Sequence, residues 1–133
     1  MVKTAILIDD DQDDIDILME ALLEIDNSVV CIPFTDPEQA IFAVQSDLIL
    51  KPDIIFIDIN MPKMTGEECL KKIRNMSELA DVPIAMLSTS MPLSVAEKLK
   101  ELGANFTFGK PSKMDEYHHI VKNILQRPRT RVS

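Results

Sequence analysis

Four short stretches of the 133-residue chain carry side chains able to handle a phosphoryl group beside a hard cation. Three carboxylates stand together at Asp9-Asp10-Asp11, and a single one closes the run Ile54-Ile55-Phe56-Ile57-Asp58. Hydroxyls follow an apolar run at Ser88-Thr89, and a lysine precedes a proline at Lys110-Pro111. Crowded carboxylates stay ionised cheaply only when a cation neutralises them. Mg²⁺ takes a few carboxylate and carbonyl oxygens at about 2 Å and keeps several waters. A carboxylate such as Asp58 can act as a nucleophile and form an aspartyl-phosphate. The charge on a transferring phosphoryl group is stabilised by a metal, an ammonium and a hydroxyl.

Each of these groups needs an element to hold it. Apolar runs at Ala5 to Ile8, Val29 to Ile32 (closed by Pro33), Asp53 to Ile57, Ile84 to Leu87 and Asn105 to Phe108 read as strands. Helical spacing of Ile15, Leu18, Met19, Leu22 and Leu23 predicts a helix over Asp13 to Glu24, its acidic start suited to the helix dipole. A second begins at Asp36 as N-cap, with Pro37 in the first turn and Gln39 at the capping-box position. Three more are expected over Glu67 to Met76, Ser94 to Leu102 (stopped by Gly103) and Asp115 to Gln126. About five βα units with short connections imply an α/β fold, a parallel sheet flanked by helices with right-handed crossovers. In such a sheet functional groups gather at the carboxyl ends of the strands. All four reactive stretches fall there.

Composition narrows the function classes. Fourteen Lys+Arg against 22 Asp+Glu give a formal charge of −8, which disfavours nucleic acid and anionic membrane as partners. Hydrophobic residues at 46% and charged ones at 27% suit one folded domain, expected over residues 1–126. The basic residues 127–133 read as a disordered tail. No run approaches the ~20 apolar residues of a membrane span, and Ala5 to Ile8 is short for a signal-peptide core, so a soluble cytoplasmic chain is expected. Cys31 and Cys69, each within an apolar segment, read as reduced, packed thiols.

The four stretches, in this order and at these separations, resemble the response regulator receiver domain of two-component signalling, single-domain type as in chemotaxis, from about Lys3 to Leu125. Ile6 to Asp10 is similar to its first strand and acidic pair, and Pro52 to Pro62 followed by Gly66 to its phosphoacceptor strand and loop. Pro83 to Ser88 is similar to the strand bearing its switch hydroxyl, and Gly109-Lys110-Pro111 to its lysine motif. The resemblance implies a flavodoxin-like, doubly wound sheet of order 2-1-3-4-5. It implies that Asp58 accepts a phosphoryl group from a histidine kinase or histidine phosphotransfer protein. It further implies that Asp10 binds Mg²⁺ directly, that Asp9 helps through a coordinated water, and that Asp58 and the Asn60 backbone carbonyl complete the metal's ligands. Ser88 and Lys110 would contact the phosphoryl group, and the Lys110-Pro111 bond is expected to be cis. The chain is read as a stand-alone receiver, monomeric or weakly dimeric, that signals through phosphorylation-dependent contacts with a downstream protein.

Other readings set alternatives. Asp9, Asp11, Asp13 and Glu20 have calcium-loop spacing, but Asp14 stands where that loop needs glycine, and a strand replaces its leading helix. Asp11, Asp13, Asp14 and Asp16 are expected to form a solvated helix start. An aspartate-nucleophile phosphatase is a competing function, although such enzymes place a second Asp two residues on, where Asn60 stands here. A pseudo-receiver acting as a constitutive scaffold is another. Thr89 is a second candidate hydroxyl, Met61, Met64 and Met91 are expected around the mouth of the site, and His118 and His119 read as surface residues. Thr107 occupies the position where the family has an aromatic or His switch.

Overall fold

The computed structural model describes residues 3–46, 48–49 and 51–126. The proposed tail, residues 127–133, lies outside the described residues. Five parallel strands, β1 (Thr4–Ile8), β2 (Val30–Phe34), β3 (Ile54–Asp58), β4 (Ile84–Ser88) and β5 (Phe106–Gly109), form one sheet in the order β2-β1-β3-β4-β5. The connections carry α1 (Gln12–Ile25), α2 (Pro37–Gln45), α3 (Gly66–Arg74), α4 (Leu93–Glu101) and α5 (Met114–Leu125). A short 3-10 turn, Ser77–Leu79, follows α3 and had no signature in the sequence.

Strand alternation divides the core into two layers. Ala5 and Leu7 of β1, Ile54 and Phe56 of β3, and Ala85 and Leu87 of β4 pack with Ile15, Leu18 and Leu22 of α1 and Val121 of α5. Ile6, Ile8, Ile55, Ile57, Ile84 and Met86 face the other way, against α2, α3 and α4. With both faces covered, β1, β3 and β4 are buried almost throughout, which accounts for their unbroken apolar runs.

The expectation that Pro33 closes β2 does not hold: the strand continues through Pro33 to Phe34, with Leu7 opposite Pro33. It is an edge strand, so the missing proline N–H leaves no ladder bond unmade on its open side. The first three helices start at side-chain caps. Asp11 accepts from the amides of Asp13 and Asp14, and Asp36 from that of Glu38. The full reciprocal capping box forms at α3, between Thr65 and Glu68. Gly103 ends α4 with φ of 116°, a left-handed conformation open to glycine.

Candidate functional site

The strand ends converge. Carried one residue past β1 and β5, the alternation turns Asp9 and Lys110 to the α1/α5 side of the sheet, the side also taken by Asp58. There Lys110 Nζ lies 3.0 Å from Asp9 Oδ2, 2.9 Å from Asp58 Oδ1 and 2.6 Å from Asp14 Oδ2. Asp9 and Asp58 are 6% and 4% exposed, so this is a sheltered site rather than a surface ion pair. Asp9 Oδ1 also accepts from the Asp11 amide at 3.0 Å. Asp10 is exposed at the rim, and its carboxylate joins those of Asp9 and Asp58, with one oxygen from each within 4.8 Å of the others. All-oxygen, anionic donors of this kind suit a hard divalent cation.

Ser88 sits on the opposite side of the sheet end and is 1% exposed. Its hydroxyl oxygen accepts from Asn60 Nδ2 at 3.0 Å and from the Ser90 amide at 3.4 Å. Thr89 beside it is exposed, so the buried hydroxyl belongs to Ser88. The Lys110 amide donates to the Ser88 carbonyl at 2.7 Å, which aligns the lysine with the hydroxyl strand. Contrary to expectation, the Lys110-Pro111 bond is trans, as are all the described peptide bonds. That backbone bond and the three carboxylates aim the side chain, and trans is the lower-energy form of an X–Pro bond.

Electrostatics follow from crowding. Burial pushes the Asp9 carboxyl up to about 6, against the lowering effect of the Asp11 amide and Lys110. Burial also raises Asp58, and Lys110 partly offsets it. Burial alone would lower the Lys110 ammonium, but hydrogen bonds to Asp14, Asp58 and Asp9 outweigh it and hold it above the usual lysine range. Tyr117 is buried beside this cluster, its ring edge-on to Phe108 at 6.2 Å, and burial raises its phenol. Four carboxylates face one ammonium, so the pocket carries an uncompensated negative charge that a cation would relieve.

Asp14 departs from the solvated helix start expected of it and is instead the shortest partner of Lys110. Counting back from Leu18 and Ala21, both buried, helical spacing puts Asp14 on the inward face of α1, which is the signal that marks it. Asn60 contributes its side-chain amide, which donates to the Ser88 hydroxyl oxygen. The calcium-loop spacing does not form a loop, because residues 12–20 are helical and Asp11 is spent on capping. Met61 and Met64 fill the core, and both cysteines are free thiols. On α5, His119 is exposed as expected, but His118 is half-buried, with Nε2 3.5 Å from Glu24 Oε2.

Residues 6–122 match the response regulator receiver domain. The chain belongs to that family. This receiver is 33% identical over 128 residues to sporulation initiation phosphotransferase F of Bacillus subtilis (strain 168), covering 94% of this chain and 96% of that protein. It spans less than two thirds of several other curated relatives. Among solved structures the receiver is similar to the phosphorylated cyanobacterial phytochrome response regulator RcpA, with a TM-score of 0.83 and 26% identity, covering 93% of this chain and 91% of that one. The Mn²⁺-bound form of response regulator Rcp1 matches with a TM-score of 0.80 and 25% identity, covering 92% and 91%. The strand order 2-1-3-4-5 is the family's, and the fold is that of a signalling module. Among the described residues no helix of the receiver is long and apolar enough to cross a membrane.

Proposed function

We propose that this receiver takes a phosphoryl group onto Asp58 from a phosphohistidine of a histidine kinase or phosphotransfer protein, in a Mg²⁺-dependent reaction in the cytoplasm. An Asp58 carboxylate oxygen attacks phosphorus while the P–N bond breaks, and the imidazole leaves with the electron pair and takes up a proton. The product is an acyl phosphate. Asp9, Asp10, Asp58 and the Asn60 carbonyl would hold the metal, which when bound neutralises charge on the phosphoryl oxygens. Lys110 would pair with the phosphoryl group and Ser88 would donate a hydrogen bond to it. The downstream protein then reads the changed surface. One observation carries this reading: the Lys110 ammonium and the carboxylates of Asp9 and Asp10 gather around a buried strand-end carboxylate. That the similar Rcp1 has an Mn²⁺-bound form supports a divalent cation here. Against a phosphatase, Asn60 cannot titrate as a general acid, and its amide is engaged with Ser88.

With Mg²⁺ and a small acyl phosphate, the wild-type chain should gain one acid-stable, base-labile phosphoryl group, and Asp58→Ala none. Equal labelling of that variant removes Asp58 from the role.

A further inference from the structure

Lys110 is shared by three carboxylates, and two of them have another task. Asp9 and Asp58, at 3.0 and 2.9 Å from Nζ, belong with Asp10 to the oxygen cluster suited to a cation. An ammonium and a divalent cation on the same two carboxylates repel each other strongly in a sheltered pocket. The third partner, Asp14 Oδ2 at 2.6 Å, is the shortest contact and stands outside that cluster. Its backbone is fixed in the first turn of α1, where the Asp11 carboxylate accepts its amide.

We propose that Asp14 is a positioning residue that retains the Lys110 ammonium at the side of the pocket when a divalent cation occupies Asp9, Asp10 and Asp58. Lysine then stays beside the phosphoacceptor without competing for the metal's ligands. The inference rests on the metal reading of the site given above. Asp14 acts through Lys110 and not on the metal, and this distinguishes it from the other acids. Without Asp14 the ammonium has only Asp9 and Asp58 to pair with, so it opposes the cation directly.

The test is a calorimetric Mg²⁺ titration of the full chain as wild type, Asp14→Asn, Lys110→Met and the double variant. Asp14→Asn should lower Mg²⁺ affinity about tenfold when Lys110 is present and no more than about twofold in the Lys110→Met background. Equal losses in both backgrounds overturn the proposal, since Asp14 would then act as a remote charge. Absence of Mg²⁺ binding by the wild type overturns the metal reading as well, so the two failures are distinct. A second measurement does not depend on the Lys110→Met variant folding. The Lys110 ammonium resonance, followed by nitrogen NMR at saturating Mg²⁺, should persist in the wild type and vanish through water exchange in Asp14→Asn. The same behaviour in both proteins, kept or lost, counts against the proposal.

Discussion

Replacing Gly66 by alanine tests how tightly the site is built into the backbone. Gly66 opens α3 against the end of β3, and a Cβ there would lie 2.5 Å from the Asp58 carbonyl oxygen and 2.6 Å from Ile59 Cα. Neither atom can swing aside as a side chain would. The Gly66 amide is also tied to the Ile59 carbonyl at 2.8 Å. In open space the change would stabilise the helix by about 0.5–1 kcal/mol. Overpacking costs about 1–3 kcal/mol, and rigid neighbours place this site at the upper end. The net expectation is a loss of about 2 kcal/mol, which lowers the thermal midpoint by roughly 6–12 °C. Relieving the clash pushes α3 away from β3 and shifts Asp58 to Asn60, so phosphorylation by a small acyl phosphate should slow about tenfold, or ~1.4 kcal/mol. Gly109→Ala is the control, because its Cβ would meet only the Ser88 carbonyl at 3.8 Å, an ordinary contact. Urea denaturation followed by far-UV circular dichroism, with timed phosphorylation, measures both effects. Wild-type stability in Gly66→Ala, or equal damage in Gly109→Ala, would refute the reasoning.

The remaining predictions concern charge, readout and a clamp. Asp9, raised to about 6, and Asp58, raised also, hold protons in the folded chain that the unfolded chain has already released. Without metal, stability should therefore decline as pH rises from about 4 through about 6 and level off near pH 7, with Asp9 alone accounting for a loss of about 2–3 kcal/mol. Saturating Mg²⁺ should reverse that slope, because metal binding requires ionised carboxylates. Glu67 and Glu68, both lowered by hydrogen bonds, act oppositely and lose their contribution as pH falls below their ordinary values. Urea titrations in chelator across this window check the sign, and a rise in stability between pH 4 and 6 would be decisive against it. Thr107 pairs with Met86 on the face opposite Phe106 and Phe108, away from Lys110. Thr107→Tyr should phosphorylate within about threefold of wild type, while affinity for the downstream partner changes more. Slowing beyond about tenfold with unchanged affinity would refute this separation of chemistry from readout. Finally, Arg74 donates from Nε to the Gly103 carbonyl and from its terminal nitrogens to the Leu79 and Val82 carbonyls and the Asn105 side chain. Arg74→Lys should lose about 2 kcal/mol by thermal melting, because an ammonium cannot span that planar fork. Full retention of stability would sink the assignment.

Much of this protein is legible along the chain because its signals are local. A run such as Ile54-Ile55-Phe56-Ile57 announces a strand covered on both faces, and the buried β3 answers it. Asp36 before Pro37, and Gly103 after α4, mark helix boundaries through the conformations they favour. Asp9, Asp58, Ser88 and Lys110 are legible for the same reason, since each stands at the end of its own strand-forming run. What no local pattern carries is which strand ends become neighbours. The order β2-β1-β3-β4-β5 places β1 beside β3 and brings Lys110 across 101 positions to Asp9 and across 96 to Asp14. Asp14 therefore reads as one more solvated acid until α1 is laid against the sheet. The Asn60 amide finds Ser88 only once β3 and β4 are paired in register. Pro33 closes a strand by local rules and is tolerated only because β2 is an edge. Sequence fixes the period and chemistry of each segment. Packing decides the distances between segments, and the electrostatics of this site depend on those distances.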